Sequence, residues 1–141
     1  MEQKTPLIYQ KIADLMARVD AIGKNKRNEQ QKFNYRGIDD VYNHVQPIMG
    51  ELGIFNMPEV IESSHERVET KSGGSVNFTR LKVKYSFYAV DGSCVSATTA
   101  GEGMDSGDKA TSKAMTSAHK AALLQVLCIP TEDLIDPDSE G

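Results

Sequence analysis

The segment Arg80–Phe87 alternates without a break. Leu81, Val83, Tyr85 and Phe87 fall on one side, and Arg80, Lys82 and Lys84 on the other. Successive side chains of a strand point to opposite faces, so this pattern fits a β-strand and little else. The chain must therefore supply a layer to cover one apolar sheet face. Val60–Ile61, Arg67–Lys71, Val76–Val90 and Val95–Ala100 are the candidate strands, with Gly73-Gly74 and Asp91-Gly92 as hairpin turns between them.

Helical texture flanks these strands. Thr5-Pro6 suits a helix start, Ile8, Ile12, Leu15, Met16, Val19 and Ile22 follow at helical spacing, and Gly23 can end the run. Asn25–Tyr35 is polar and basic and reads as a loop. A second helix should run from near Ile38 to Gly53, kinked by Pro47. After a Gly-rich connection over Gly101–Gly107, a last helix is predicted from about Asp108 to Leu127. Its small-residue stripe (Ala114, Ala118, Ala122) suits close packing on a sheet. The order predicts an α+β fold: an antiparallel β-meander with N-terminal helices and a long C-terminal helix on the sheet. Residues 1–129 form one domain in this reading and residues 130–141 a short acidic tail.

Charge matters here by distribution. The chain has 16 Lys+Arg and 20 Asp+Glu, a formal net charge of −4. Residues 130–141 carry five of the acids and no base, so residues 1–129 hold 16 bases against 15 acids. Three basic clusters stand out in that body. Lys24, Lys26, Arg27, Lys32 and Arg36 lie in the expected loop, with Phe33 and Tyr35 interleaved. Arg80, Lys82 and Lys84 line the polar side of the alternating strand. Lys109, Lys113 and Lys120 lie along the last helix, with Ser112 and Thr116 beside them. Lysines at one- to two-turn spacing can follow successive phosphates, and aromatic rings can stack on bases, each stack contributing ~1–3 kcal/mol. For each cluster the alternative is structural: solvated faces for the bases, core anchors for the two aromatics.

Other chemistries are poorly supported. The 101–109 stretch lacks the spacing of a phosphate-binding loop. Glu102, Asp105 and Asp108 could hold a hard cation, although capping of the last helix explains Asp108 more simply. His44, His65 and His119 are scattered, His119 reading as an ordinary partly exposed residue, and no nucleophile or paired-carboxylate signature stands out. Cys94 and Cys128 form no CxxC pair, which fits a reduced, intracellular setting. No apolar run approaches the ~18–20 residues of a membrane span. The expectation is a binding protein, not an enzyme, without cofactor or metal.

Two blocks, FNYRGIDDVYNHVQPIMGELGI (33–54) and GEGMDSGDKATSKAMTSAHKAALLQVLCIP (101–130), resemble the ERF, or Essential Recombination Function, family of phage single-strand annealing proteins. The second block is the more specific, with its Gly-acid-Gly turn, Gly-Asp-Lys-Ala and small-residue helix bearing Lys113 and Lys120. The resemblance implies ATP-independent binding and annealing of single-stranded DNA in (pro)phage homologous recombination. It implies a homo-oligomer, ring or helical filament, acting in the cytoplasm of a bacterial host, with a host single-strand-binding protein as a further partner. It also implies a β-β-β-α core like that of the eukaryotic annealing proteins, in which bases on the last helix and the sheet line a backbone-binding groove. Ala121 departs from the family, whose members often place a basic or aromatic residue there. The competing function is a small metal- or nucleotide-dependent nucleic-acid enzyme using the 101–109 loop. In a third reading the acidic tail competes with DNA for the basic face.

Overall fold

The computed structural model describes residues 4–30 and 38–129, with side chains described for residues 4–19 and 38–129. Six elements follow in order: α1 (Leu7–Gln30), α2 (Ile38–Leu52), β1 (Phe55–Glu69), β2 (Ser75–Tyr88), β3 (Cys94–Asp105) and α3 (Ala110–Val126). The strands form one antiparallel sheet in the order β1-β2-β3. Gly73 and Gly92 take positive φ in the two hairpin turns, a conformation that a side chain would strain. The α+β meander with a C-terminal helix on the sheet is as the sequence predicts.

Among the described residues, helices cover one face of the sheet and leave the other uncovered. Leu81, Val83, Tyr85 and Phe87 are buried against the helices, together with Val41, Val45, Ala114, Ala118, Ala122 and Leu123. The helix α3 lies over β3 and β2 at very short range, and glycines make that possible. A Cβ on Gly101 would lie 2.2 Å from the Ala114 carbonyl oxygen, and one on Gly103 2.2 Å from that of Ala110. Small residues on the helix thus meet missing side chains on the strand. The Thr99 hydroxyl donates to the Ala118 carbonyl at 2.7 Å and pins the contact.

Four local expectations are corrected. The first helix does not stop at Gly23, and Asn25–Gln30 is helix, not loop. One glycine costs a helix about 1 kcal/mol, and the Lys, Arg, Glu and Gln after it are helix-compatible. Thr5 does not cap that helix. Instead the β2–β3 hairpin reaches across, Asp91 accepting from the Leu7 amide at 3.2 Å and Ser93 from that of Ile8 at 3.0 Å. Val60–Ile61 and Arg67–Lys71 are not separate strands. They belong to one long β1, irregular in register between Val60 and Glu62 and ending at Glu69. The supposed connection from Gly101 is strand through Asp105, because glycines face the helix there.

Candidate nucleic-acid interface

The last helix begins at Ala110, with Lys109 at its N-cap position and no side-chain cap from that residue. Asp105, not Asp108, satisfies the donors in this corner. Its carboxylate accepts from the amides of Gly107 at 2.9 Å and Lys109 at 3.2 Å, and from Lys113 Nζ at 2.9 Å. Those bonds, the Lys113 one foremost, hold the Asp105 carboxyl at about 2. Lys113 Nζ also donates to the Met104 carbonyl at 3.1 Å, which ties the lysine to the end of β3.

Lys109, Lys113 and Lys120 line one shallow groove of about 450 Å³. Ser112, Thr116 and Ser117 supply its hydroxyls, and Ile38, the first residue of α2, its apolar wall. Three ammonium groups, three hydroxyls and little depth suit a phosphate backbone better than a compact ligand.

The second cluster lies elsewhere. Strand alternation turns Arg80, Lys82 and Lys84 to the uncovered face, away from α3. Register sets acids beside them: Lys84 pairs across with Glu59, Lys82 with Glu62, and Arg80 with Glu102 on the other side. Arg80 Nε is 3.3 Å from the Glu102 carboxylate and Lys82 Nζ 3.7 Å from that of Glu62. Arg80 also sits 4.8 Å over the Phe78 ring. The expected union of helix and sheet bases in one groove is therefore not formed within a single chain.

The third cluster is described only in part. Lys24, Lys26 and Arg27 lie on the C-terminal turns of α1. Lys32, Phe33, Tyr35 and Arg36, like the acidic residues of 130–141, lie outside the described residues.

A shared cation site of Glu102 and Asp105 loses its geometry. Glu102 faces the uncovered side with Arg80, whereas Asp105 is engaged by Lys113 on the helix side. Among the described residues, no three His, Cys, Asp or Glu side chains gather as a metal site, and no helix is long and apolar enough to cross a membrane.

His119 is the residue that sequence reasoning undervalued. It is half-buried at the meeting of four elements. Its Nε2 lies 2.9 Å from Asn56 Oδ1, its Nδ1 is hydrogen-bonded to the Tyr42 hydroxyl, and its ring stacks on Tyr85 at 4.7 Å. Burial pushes its pKa down. Burial also raises Tyr42, with Asp39 adding to the effect, and lifts Tyr85 to about 12, with Tyr42 adding there. No local signal marks this cluster, because Tyr42 and Asn56 are 77 and 63 positions away.

The sequence profile of the ERF superfamily matches residues 8–141, nearly the whole chain. No curated protein matches it.

Proposed function

The chain belongs to the ERF superfamily, a family of phage recombination and strand-annealing proteins, and we propose that it binds single-stranded DNA by its backbone and anneals complementary strands without ATP. The observation that carries this reading is the α3 groove, where Lys109, Lys113 and Lys120 share a wall with Ser112 and Thr116. Cations and hydroxyls of this kind engage phosphates irrespective of sequence. Base edges then stay available to a second strand, and base pairing supplies the free energy of annealing.

Lys24, Lys26, Arg27, Lys32 and Arg36 extend the basic surface in this proposal, and Phe33 and Tyr35 are its stacking residues. Arg80, Lys82 and Lys84 are secondary in this reading, being matched by acids. A homo-oligomer, ring or filament, multiplies the modest affinity of one groove through effective concentration. The proposed place of action is the bacterial host cytoplasm, where a host single-strand-binding protein is a candidate partner.

The test is fluorescence annealing of complementary oligonucleotides without nucleotide or added metal, with negative-stain imaging of the same sample. Annealing and closed or helical assemblies are expected. Pairing that requires ATP, or no acceleration over the spontaneous rate, would overturn the reading.

A further inference from the structure

Both outer edges of the sheet are open among the described residues, since β1 and β3 each pair on one side, with β2. A long open edge offers a row of unpaired backbone groups to another strand. The 15 residues of β1 carry no lysine, and no proline after Pro58, to discourage such pairing. The helix layer also stops short of β1. Val60 and Val83 are neighbours across the strands on the helix side, yet Val60 is 49% exposed and Val83 0%. Helix α3 lies mainly over β3. On one flank its His119 points back over β2 to Asn56 of β1, so Lys113, which reaches the Met104 carbonyl, is on the flank beyond β3. One edge of the sheet thus lacks a helical cover and the other has a helix overhanging it.

We propose that β1 of one copy adds in parallel to β3 of the next, under the overhanging flank of α3, and that Arg67 of the added strand joins Lys113 at the end of the lysine row. The strand joint is independent of the DNA reading, whereas the part given to Arg67 rests on it.

Direction follows from topology. In a three-stranded meander β1 and β3 run the same way, so copies joined β3 to β1 with their helices on one face pair in parallel. Each copy uses two different edges, and such a joint repeats into a ring or a filament. Joints between like edges are opposed by charge. Pairing β1 with β1 sets Glu59, Glu62 and Glu66 against the same three residues, and pairing β3 with β3 brings two α3 helices together on their Lys113 flanks. The β3–β1 joint has neither fault. At the levels set by β2, Glu59 comes beside Thr98, Glu62 beside Ala100 and Glu66 beside Met104 on the uncovered face. On the helix side Val60 comes beside Thr99 and Arg67 beside Asp105, a pair of opposite charge.

Within its own chain Arg67 makes a long contact with Asn77 Oδ1, at 3.5 Å, and its side chain can turn away from it. Asp105 is held by Lys113 at 2.9 Å. A second cation at this carboxylate shares the acid, and Lys113 can then turn to a phosphate. Each groove takes its end cation from the neighbouring copy and is incomplete in a monomer.

Disulfide trapping tests the joint, in a chain whose own exposed Cys94 and Cys128 are replaced by serine. Glu59→Cys with Thr98→Cys should give a ladder of dimers, trimers and higher forms on mild oxidation without DNA. Within one chain these positions lie two strands apart, about 10 Å at ~4.8 Å per strand. That is beyond the ~7 Å a disulfide can span, so every bond formed is between copies. Neither substitution alone should cross-link. Glu59→Cys with Ser96→Cys, or with Ala100→Cys, covers a stagger of two residues, the smallest that keeps both faces. No ladder in any of the three pairs, or dimers from a single variant as abundant as from its pair, would overturn the joint. Arg67→Ala should keep the ladder and lower oligo-dT affinity about three- to fivefold at low salt, flattening the log–log salt slope by about 0.7 for one phosphate. An unchanged slope with the ladder intact would remove Arg67 from the groove. If Lys113→Ala with Lys120→Ala also leaves binding unaltered while the ladder forms, the joint stands and the groove reading fails.

Discussion

Two rows of basic residues look alike in the sequence and differ in the fold. On β2, Arg80, Lys82 and Lys84 recur every second residue. On and before α3, Lys109, Lys113 and Lys120 recur every one to two turns. The strand row sits between neighbouring strands that carry Glu59, Glu62 and Glu102 at the paired positions. The helix row borders one groove, and Lys113 within it is engaged by Asp105 at the end of β3. A cross-strand neighbour lies about 5 Å away and is unavoidable, whereas a helix on an outer layer has one side open. Local charge density is therefore a poor guide to phosphate affinity, and the charge of the adjacent element is the better one.

The largest expected effect comes from removing what seats the helix row. Gly101→Ala places a methyl 2.2 Å from the Ala114 carbonyl oxygen, a backbone atom that cannot turn aside. Overpacking of this kind costs about 1–3 kcal/mol, and the upper end is expected here. At about 2–4 °C per kcal/mol for a chain of this size, calorimetry should show a fall of roughly 6–12 °C. Ala100→Thr, one residue away on the uncovered face, should shift stability by less than ~0.5 kcal/mol. Similar shifts in the two variants would mean that α3 is not seated on glycine.

Next comes a direct comparison of the two rows. Lys113→Ala with Lys120→Ala should weaken oligo-dT binding by tens of fold at low salt. It should also flatten the log–log salt dependence by about 1.4, at ~0.7 for each single-strand phosphate that is no longer neutralised. Arg80→Ala with Lys82→Ala should change affinity by no more than about twofold, since both bases are engaged by carboxylates of the neighbouring strands on the face away from α3. Equal losses from both pairs would erase the distinction. A converse pair sharpens it: Glu62→Gln with Glu102→Gln unmasks the strand row without touching a base. A gain of about two- to fivefold at low salt is expected, fading as screening shortens to ~3 Å at 1 M.

Much of the fold was legible because it rests on local rules. The alternation of β2 set the covered and uncovered sides, and the alanines of α3 announced a close approach. What stayed hidden depends on residues far apart in sequence. The acids beside Arg80 and Lys82 come from register, which only the pairing of whole strands fixes. The first helix outruns Gly23 because a single glycine is only a weak helix breaker. His119 gave no signal, since a lone histidine acquires meaning from Tyr42, Asn56 and Tyr85, brought there by three other elements. The candidate site was thus half readable: the lysine row of the proposed groove could be seen, but not which of two rows would be matched by acids across the sheet.

The smallest effect concerns the acid inside the favoured row. Asp105 is held at about 2, mainly by Lys113 and then by the amides of Lys109 and Gly107. A carboxyl whose folded pKa lies below its unfolded value, near 4, stabilises the fold above that range. The contribution is lost as pH falls from about 4 through about 2. Wild type should therefore lose slightly more stability than Asp105→Asn over that window, and the two should run parallel above pH 5. The same bond restrains Lys113 at neutral pH, so Asp105→Asn frees an ammonium group and removes a negative charge beside the groove. Oligo-dT affinity should rise modestly in this variant, most at low salt. A fall instead would mean that Asp105 serves the groove chiefly by seating the start of α3, and that the lysine row depends on this acid rather than being opposed by it.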